Sequence, residues 1–360
     1  MVEFRGRRRV RVSLCMINYN GEAYLRESLP AALRQAACFE EILLVDNGST
    51  DGSLDLVERE FPTVRVVRLP ENRGAGAARN AGIREARTDL ILFLDNDVML
   101  LEGCTERLVA ALEEHADAIA AAPSVIYAKL PDTIQYCGAD NHYLGLMILR
   151  DENTPVAQID TAVRHTDSLV TACFLIDRAR LADQHPFDEV YFYHMEDHDL
   201  GVRLRVLGHG ILAVPEAHVL HGEGQAGLSI RRIGKYTQTR VYFLVRNRWL
   251  FLLKTYQLRS LVLLGPILLF YECAQLVVVL RKGWAREWTR AAGWIIREFP
   301  NLLASRRSVQ ATRKVSDREL FSNGPIPLRS ELTSGRVELM ARRALDFISS
   351  RYFEGVRRLL

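Results

Sequence analysis

Four short apolar runs, Val10–Ile17, Glu41–Val45, Val64–Leu69 and Leu90–Leu94, are separated by stretches with helical spacing at Gly21–Gln35, Leu54–Glu60 and Gly74–Arg87. Strand-length runs divided by helices of this size predict βαβ units and a parallel sheet, an α/β fold. Ligands of such sheets bind beyond the carboxyl ends of the strands, where strand order switches. Here every run ends in a polar cluster, so the chemistry is expected directly after each strand.

A second section, about 123–223, carries shorter strand signals (Val125–Tyr127, Leu169–Ile176) and a helix over Glu196–Leu207, with turns at Gly208 and Pro215. After Gly227 the texture becomes Arg-rich, Leu-rich and Trp-bearing. There is no internal repeat. At 48% hydrophobic and 25% charged, the chain can bury a substantial core. Six single cysteines without a CxxC pair predict reduced thiols, not a disulfide framework or a zinc site. The basic start MVEFRGRRRV leads into a strand-like run instead of an apolar signal stretch, which argues against secretion.

Charge is split along the chain. Residues 227–360 hold 25 Lys/Arg against 9 Asp/Glu, net +16, whereas 1–226 hold 22 against 35, net −13. Two regions with different partners are expected, 1–226 and 227–360.

The first strand ends in Asn18-Tyr19-Asn20-Gly21-Glu22. An aromatic ring there can stack on a nucleobase while Asn20 and Glu22 supply polar groups, although a Tyr at a strand end more often only packs. The second ends in Asp46-Asn47-Gly48-Ser49-Thr50-Asp51. Asp46 can accept a hydrogen bond from a uracil or thymine N3–H, and the following residues turn the chain into the next helix. After the third strand, Asn72-Arg73-Gly74-Ala75-Gly76 opens a helix whose free N–H groups attract phosphate, and Arg73 and Arg79 add charge suited to a diphosphate. The fourth ends in Asp95-Asn96-Asp97, two carboxylates at the spacing suited to a hard divalent cation. Isolated D-x-D triplets arise by chance; one straight after a buried strand in this series is far more specific.

Further on, Glu196-Asp197-His198-Asp199 opens a helix whose dipole favours a carboxylate, and it is more acidic than capping needs. A general base is the sharper reading. His218 or His221 can serve as a metal ligand, a role that lone histidines seldom have.

In this order the motifs resemble the family 2 glycosyltransferases of GT-A fold, over about residues 10–225, and most closely a bacterial rhamnosyltransferase-like branch that builds surface polysaccharides. The resemblance implies a Rossmann-like, mostly parallel central sheet with flanking helices. It implies a donor part at about 10–122 and an acceptor and catalytic part at about 123–226. Tyr19 and Asp46 would bind the base, Arg79 the diphosphate side and Asp95 the ribose or sugar. Asn20, Glu22, Asn72, Arg73 and Asn96 would complete the donor site. Asp97 would hold Mg²⁺ or Mn²⁺, His221 would complete the metal shell, and Asp197 would be the base of an inverting displacement from a UDP- or dTDP-sugar. Gly224-Gln225-Ala226-Gly227 departs from the Ser-containing stretch that often follows the histidine in such proteins.

Two rivals come from other classes. A nucleotidyltransferase calls for a Gly-rich loop with Lys or Arg after strand one, where Asn18-Tyr19-Asn20-Gly21 stands instead. An inactive scaffold would not be expected to retain Asp46, Asp95, Asp97 and Asp197 together.

In the tail, Ser260–Leu280 contains Glu272 as its only charge, long enough to span a bilayer. Glu272, Gln275, Gly265 and Pro266, with positive flanks on both sides, favour a helix lying in the cytoplasmic interface. Arg246, Arg248, Lys254, Arg281, Lys282 and Arg286 would then meet an anionic membrane surface, with Trp249, Trp284, Trp288 and Trp294 at headgroup level. Bases set among Leu and Trp argue against nucleic acid. The expected partners are therefore a nucleotide-sugar, a glycan or lipid-linked acceptor and the inner face of the cell membrane, with an oligomer also compatible.

Overall fold

The computed structural model describes residues 11–183, 185–222, 237–327 and 336–360; the basic N-terminal stretch and Gly224–Gly227 lie outside them. The strands are β1 (Val12–Asn18), β2 (Glu41–Asp46), β3 (Arg65–Arg68), β4 (Leu90–Asp95), β5 (Val98–Leu100), β6 (Ala118–Tyr127), β7 (Leu130–Tyr136), β8 (Ala139–His142), β9 (Leu146–Leu149), β10 (Arg164–His165), β11 (Cys173–Asp177) and β12 (Gly210–His221). The helices are α1 (Glu22–Leu33), α2 (Ser53–Glu60), α3 (Ala75–Glu85), α4 (Cys104–Glu114), α5 (Glu196–Val206), α6 (Gln238–Thr255), α7 (Leu258–Arg281), α8 (Ala285–Arg297), α9 (Phe299–Ala311), α10 (Asp317–Leu320) and α11 (Arg336–Val356).

The large sheet runs β10-β12-β6-β11-β4-β1-β2-β3. β1 is parallel to β2 on one side and to β4 on the other, so strand order reverses at β1. Every residue of β1 is buried, as a strand covered on both faces requires. Its register sets Asn18 beside Asp46 and Ile17 beside Asp95, which brings three strand ends together.

The far half of the sheet is mixed. β11 is antiparallel to both β4 and β6, and β12 runs parallel to β6. β6 begins at Ala118, well before the expected Val125, because its Ala-rich start is poor in β-propensity yet fully buried. α4 was not anticipated; its Cys104, Leu108 and Ala111 form a buried stripe against the sheet core.

The chain divides into two compact units. The first comprises 11–139, 149–204 and 209–222 of the described residues; the second comprises 140–148, 205–208 and the chain from 237. Residues 140–148 group with the tail for a physical reason: Tyr143 stacks on Phe353 at 4.2 Å, and Leu144 O accepts from Arg248 Nε at 2.8 Å.

In this second unit the expectation for three cations is corrected. Arg246, Arg248 and Lys254 are 6%, 2% and 2% exposed, so they do not face a membrane. Arg246 lies over the rings of Phe243 and Trp294, each at 4.7 Å. Arg248 pairs with Glu272 across to α7 and covers Tyr271 at 4.5 Å. These contacts replace hydration with paired charge and aromatic faces. Arg281, Lys282 and Arg286 are exposed, as expected. Pro266 does not end α7, which continues through it.

Candidate active site

Asn18 ties the strand ends together. Its Nδ2 donates to Asp46 Oδ1 at 2.9 Å, and its Oδ1 accepts from Asn96 Nδ2 at 2.8 Å. Asp46 is 1% exposed, and its oxygens accept from the Ser49 N–H at 2.9 Å and the Ser49 hydroxyl at 2.5 Å. Tyr19, directly after β1, is half-buried. Asn20 takes a left-handed φ of 48° and accepts from the Thr50 N–H at 2.7 Å. Glu22 sits at the start of α1 in an exposed pair with Arg26 at 2.8 Å.

The loop after β3 is pinned by a residue that the sequence reading missed. Asn47, 3% exposed, donates to Asn72 Oδ1 at 3.0 Å and Gly74 O at 3.1 Å and accepts from the Arg73 N–H at 3.0 Å. Gly74 is required here: its φ is +87°, and a Cβ would lie 2.2 Å from Phe192 O. The Arg73 guanidinium reaches the surface and meets Glu189 at 2.7 Å.

Arg79 is placed differently from a solvent-facing diphosphate ligand. On α3 and 2% exposed, it bonds Asp95 at 2.7 Å, Glu196 at 3.4 Å and Thr171 O at 3.1 Å. Burial alone would weaken its basicity, but Asp95 and Glu196 outweigh that and hold it protonated. One guanidinium thus joins the β4 turn to the start of α5. Arg79→Met is expected to destabilise the fold by about 3–5 kcal/mol, because two acidic groups would lose their buried counter-ion. Urea denaturation of the variant checks this.

The β4–β5 turn holds Asp95, Asn96 and Asp97. β5 pairs antiparallel with β12, with Val98 opposite His221, so Asp97 lands at the end of β12. His221 Nε2 lies 3.4 Å from Asp97 Oδ1, and ligand atoms of Asp95, Asp97 and His221 lie within 4.8 Å of one another. His221 Nδ1 bonds Gln135 Oε1 at 2.9 Å, which places the proton on Nδ1 and turns the Nε2 lone pair toward the carboxylates. Two carboxylates and one imidazole suit Mn²⁺ or Mg²⁺, so the donor set fits a divalent cation. Among the described residues this cluster contains His221 and not His218, which lies three residues earlier on β12.

α5 is reached through unusual backbone. Phe192, His194 and Met195 have φ of 58°, 65° and 69°, each costing about 1–3 kcal/mol, a cost that tends to persist where function needs it. Gly201 lets the helix press onto Leu169, whose backbone N would be 2.3 Å from a Cβ. Within the acidic run the roles separate. Asp199 is fully buried and accepts from Tyr191 Oη at 2.9 Å and Arg203 Nε at 2.7 Å, a structural arrangement. His198 bonds the Ser168 hydroxyl at 2.7 Å, and burial lowers its pKa to about 3, so it is neutral. Asp197 is partly exposed and, among the described residues, accepts from the His198 N–H at 2.7 Å. Burial raises its pKa to about 6, and burial together with the Asp197 charge raises Glu196 to about 7. A carboxylate poised near neutrality beside a cluster that could hold a divalent cation is suited to take a proton from a hydroxyl.

Residues 13–169 match the model of glycosyl transferase family 2. An uncharacterized glycosyltransferase of Haemophilus influenzae is 38% identical over 99 residues, 27% of this chain and 40% of that one. The N-acetylglucosaminyl-diphospho-decaprenol L-rhamnosyltransferase of Mycobacterium tuberculosis is 30% identical over 203 residues, 50% of this chain and 66% of that one. The chain thus spans less than two thirds of the length of either relative. Among solved structures, GalNAc-T7 with UDP, GalNAc and Mn²⁺ aligns with a TM-score of 0.53 at 18% identity, over 69% of this chain and 48% of that one. That likeness shows the fold: a mixed, partly parallel sheet of GT-A type.

Proposed function

Since the chain belongs to glycosyl transferase family 2 through residues 13–169, we propose that it transfers a sugar from a UDP- or dTDP-linked donor, with inversion, to a hydroxyl of a glycan or lipid-linked acceptor. The observation that carries this reading is the cluster of Asp95, Asp97 and His221, joined through Arg79 to the helix start that bears Asp197. An L-rhamnosyl donor and a lipid-linked acceptor are supported by the name of the Mycobacterium tuberculosis relative. Surface-polysaccharide synthesis is the setting that fits both. Six free cysteines fit work in the reducing cytoplasm.

In the proposed reaction Asp197 takes the proton of the acceptor hydroxyl as its oxygen attacks the anomeric carbon. The bond from that carbon to the diphosphate oxygen breaks, and configuration inverts. In this reading Tyr19 and Asp46 bind the base, and Arg79, bonded to both Asp95 and Glu196, holds those two carboxyls in place. A divalent cation held by Asp95, Asp97 and His221 would neutralise the charge of the leaving diphosphate.

Thermal-shift measurements with UDP-, dTDP- and GDP-sugars, with and without Mn²⁺, test the reading. A ligand at 100 times its Kd adds about 2.7 kcal/mol to folded-state stability. UDP- or dTDP-sugars are expected to raise Tm by more when metal is present. No shift from any nucleotide with metal would sink it.

A further inference from the structure

We propose that α7 docks the protein on an anionic bilayer by lying in the interface plane, with one face in lipid and the other held by the protein. The proposal deepens the reading above by naming the surface that meets the membrane.

α7 has 24 residues and is long and apolar enough to cross a membrane. Its two faces differ in what covers them. Ser260, Leu264, Ile267, Tyr271 and Val279 form a buried stripe. On the opposite side Leu258, Val262, Leu269, Phe270, Val277 and Leu280 are 42–69% exposed, with no charged residue among them. An apolar stripe that runs from Val262 to Leu280, with Arg259 and Arg281 at its two ends, is not an ordinary solvated surface.

The contacts of the buried face set the orientation. At mid-helix Glu272 pairs with Arg248 of α6, and near its start Leu263 O accepts from Tyr352 Oη of α11 at 2.7 Å. A transmembrane α7 would carry α6, with Arg246, Arg248 and Lys254, to the level of the hydrocarbon, where charge is costly. An in-plane α7 leaves those groups on the protein side and buries only the exposed stripe.

Charge selects lipid over a second copy of the chain. Between residues 258 and 297 the exposed charged side chains are Arg259, Arg281, Lys282, Arg286, Arg290 and Arg297, all cationic, while Glu287 is buried. A two-fold contact through α7 would set Arg259, Arg281 and Lys282 against their own copies, whereas anionic headgroups complement them.

Flotation of the full chain with phosphatidylcholine vesicles, with and without phosphatidylglycerol, tests the docking. Binding is expected only with phosphatidylglycerol. The Leu269→Glu/Phe270→Glu variant changes two exposed positions and should bind at least about 10²-fold more weakly. Arg281→Glu/Lys282→Glu/Arg286→Glu should lose about 10²-fold or more. A fluorophore on Cys273, the exposed one of the six free thiols, should be quenched by shallow and not by deep spin-labelled lipid. Quenching from the bilayer centre would mean a spanning helix and overturn the proposal. So would unchanged binding by the Glu variant, or a dimer in light scattering that ignores vesicles and dissolves in that variant. Nucleotide diphosphate binding with Mn²⁺ is measured on the same variants: its retention shows they are folded. Its absence from the unaltered chain would count against the enzymatic reading while leaving the docking result intact.

Discussion

Asp197→Asn is expected to retain donor binding and to lose transfer by about 10²–10⁴-fold, the usual contribution of a positioned general base. The substitution is nearly isosteric and keeps the oxygen that accepts from the His198 N–H at 2.7 Å, so the start of α5 is left in place. What disappears is the ability to take a proton. The pH dependence gives a second readout. Burial raises Asp197 to about 6, so kcat/KM should rise with pH through that value in the unaltered protein and lose this limb in the variant. Stability should run the other way. A carboxyl whose folded pKa lies above its unfolded value stabilises the fold below the ordinary carboxylate range. That contribution is lost as pH rises through about 6 for Asp197 and about 7 for Glu196. Urea denaturation between about pH 4 and about pH 7 therefore separates these groups from ordinary surface carboxylates, whose effect has no such sign. Near wild-type transfer by Asp197→Asn would move the base elsewhere. Glu196 would then be the next candidate, because both oxygens of Asp199 are held by Tyr191 and Arg203.

The first four strands and three helices were legible because burial of β1, β2 and β4 leaves contiguous apolar runs, because the half-buried β3 still carries Val66 and Val67, and because each run stops where a polar end begins. β11 and β12 were less so. Their strand direction depends on partners distant in sequence, and an Ala-rich start such as that of β6 has no periodicity to read. At the site, the carboxylates stood out by spacing, but the groups that hold them did not. Asn18, Asn47 and Gln135 are single amides whose neighbours come from other strands, so nothing local in the sequence marks them. Arg79 was visible as a cation near a Gly-rich turn; that its guanidinium points inward, between Asp95 and Glu196, is a property of packing. The same limit explains α6. Arg246, Arg248 and Lys254 read as a basic face until Arg246 is seen over aromatic rings, Arg248 against Glu272, and Lys254 buried with them.

Asp97→Asn should lower the affinity for nucleoside diphosphate in the presence of Mn²⁺ by more than about 10²-fold and leave metal-free binding nearly unchanged. The first effect follows from geometry. Asp97 is one of three ligand side chains within 4.8 Å, and an amide supplies a neutral oxygen where a carboxylate supplies charge to a hard cation. The fold should survive. Asp97 is anchored by its backbone, whose carbonyl accepts from the Gly222 N–H at 2.8 Å, and β5 is paired with β12 through main-chain bonds that the substitution does not touch. Gln135→Leu makes the argument sharper, because Gln135 is not one of the three ligating side chains and acts through its bond to His221 Nδ1. That variant should weaken Mn²⁺ binding by about 10–100-fold, the usual effect of removing a group that orients a ligating histidine. Calorimetry of Mn²⁺ with a nucleoside diphosphate measures both. A large loss in Asp97→Asn with none in Gln135→Leu would leave the carboxylates as metal ligands and remove His221 from the shell. Unchanged affinity in both would mean that the cluster holds no cation, and the leaving diphosphate would have to be neutralised by protein cations instead.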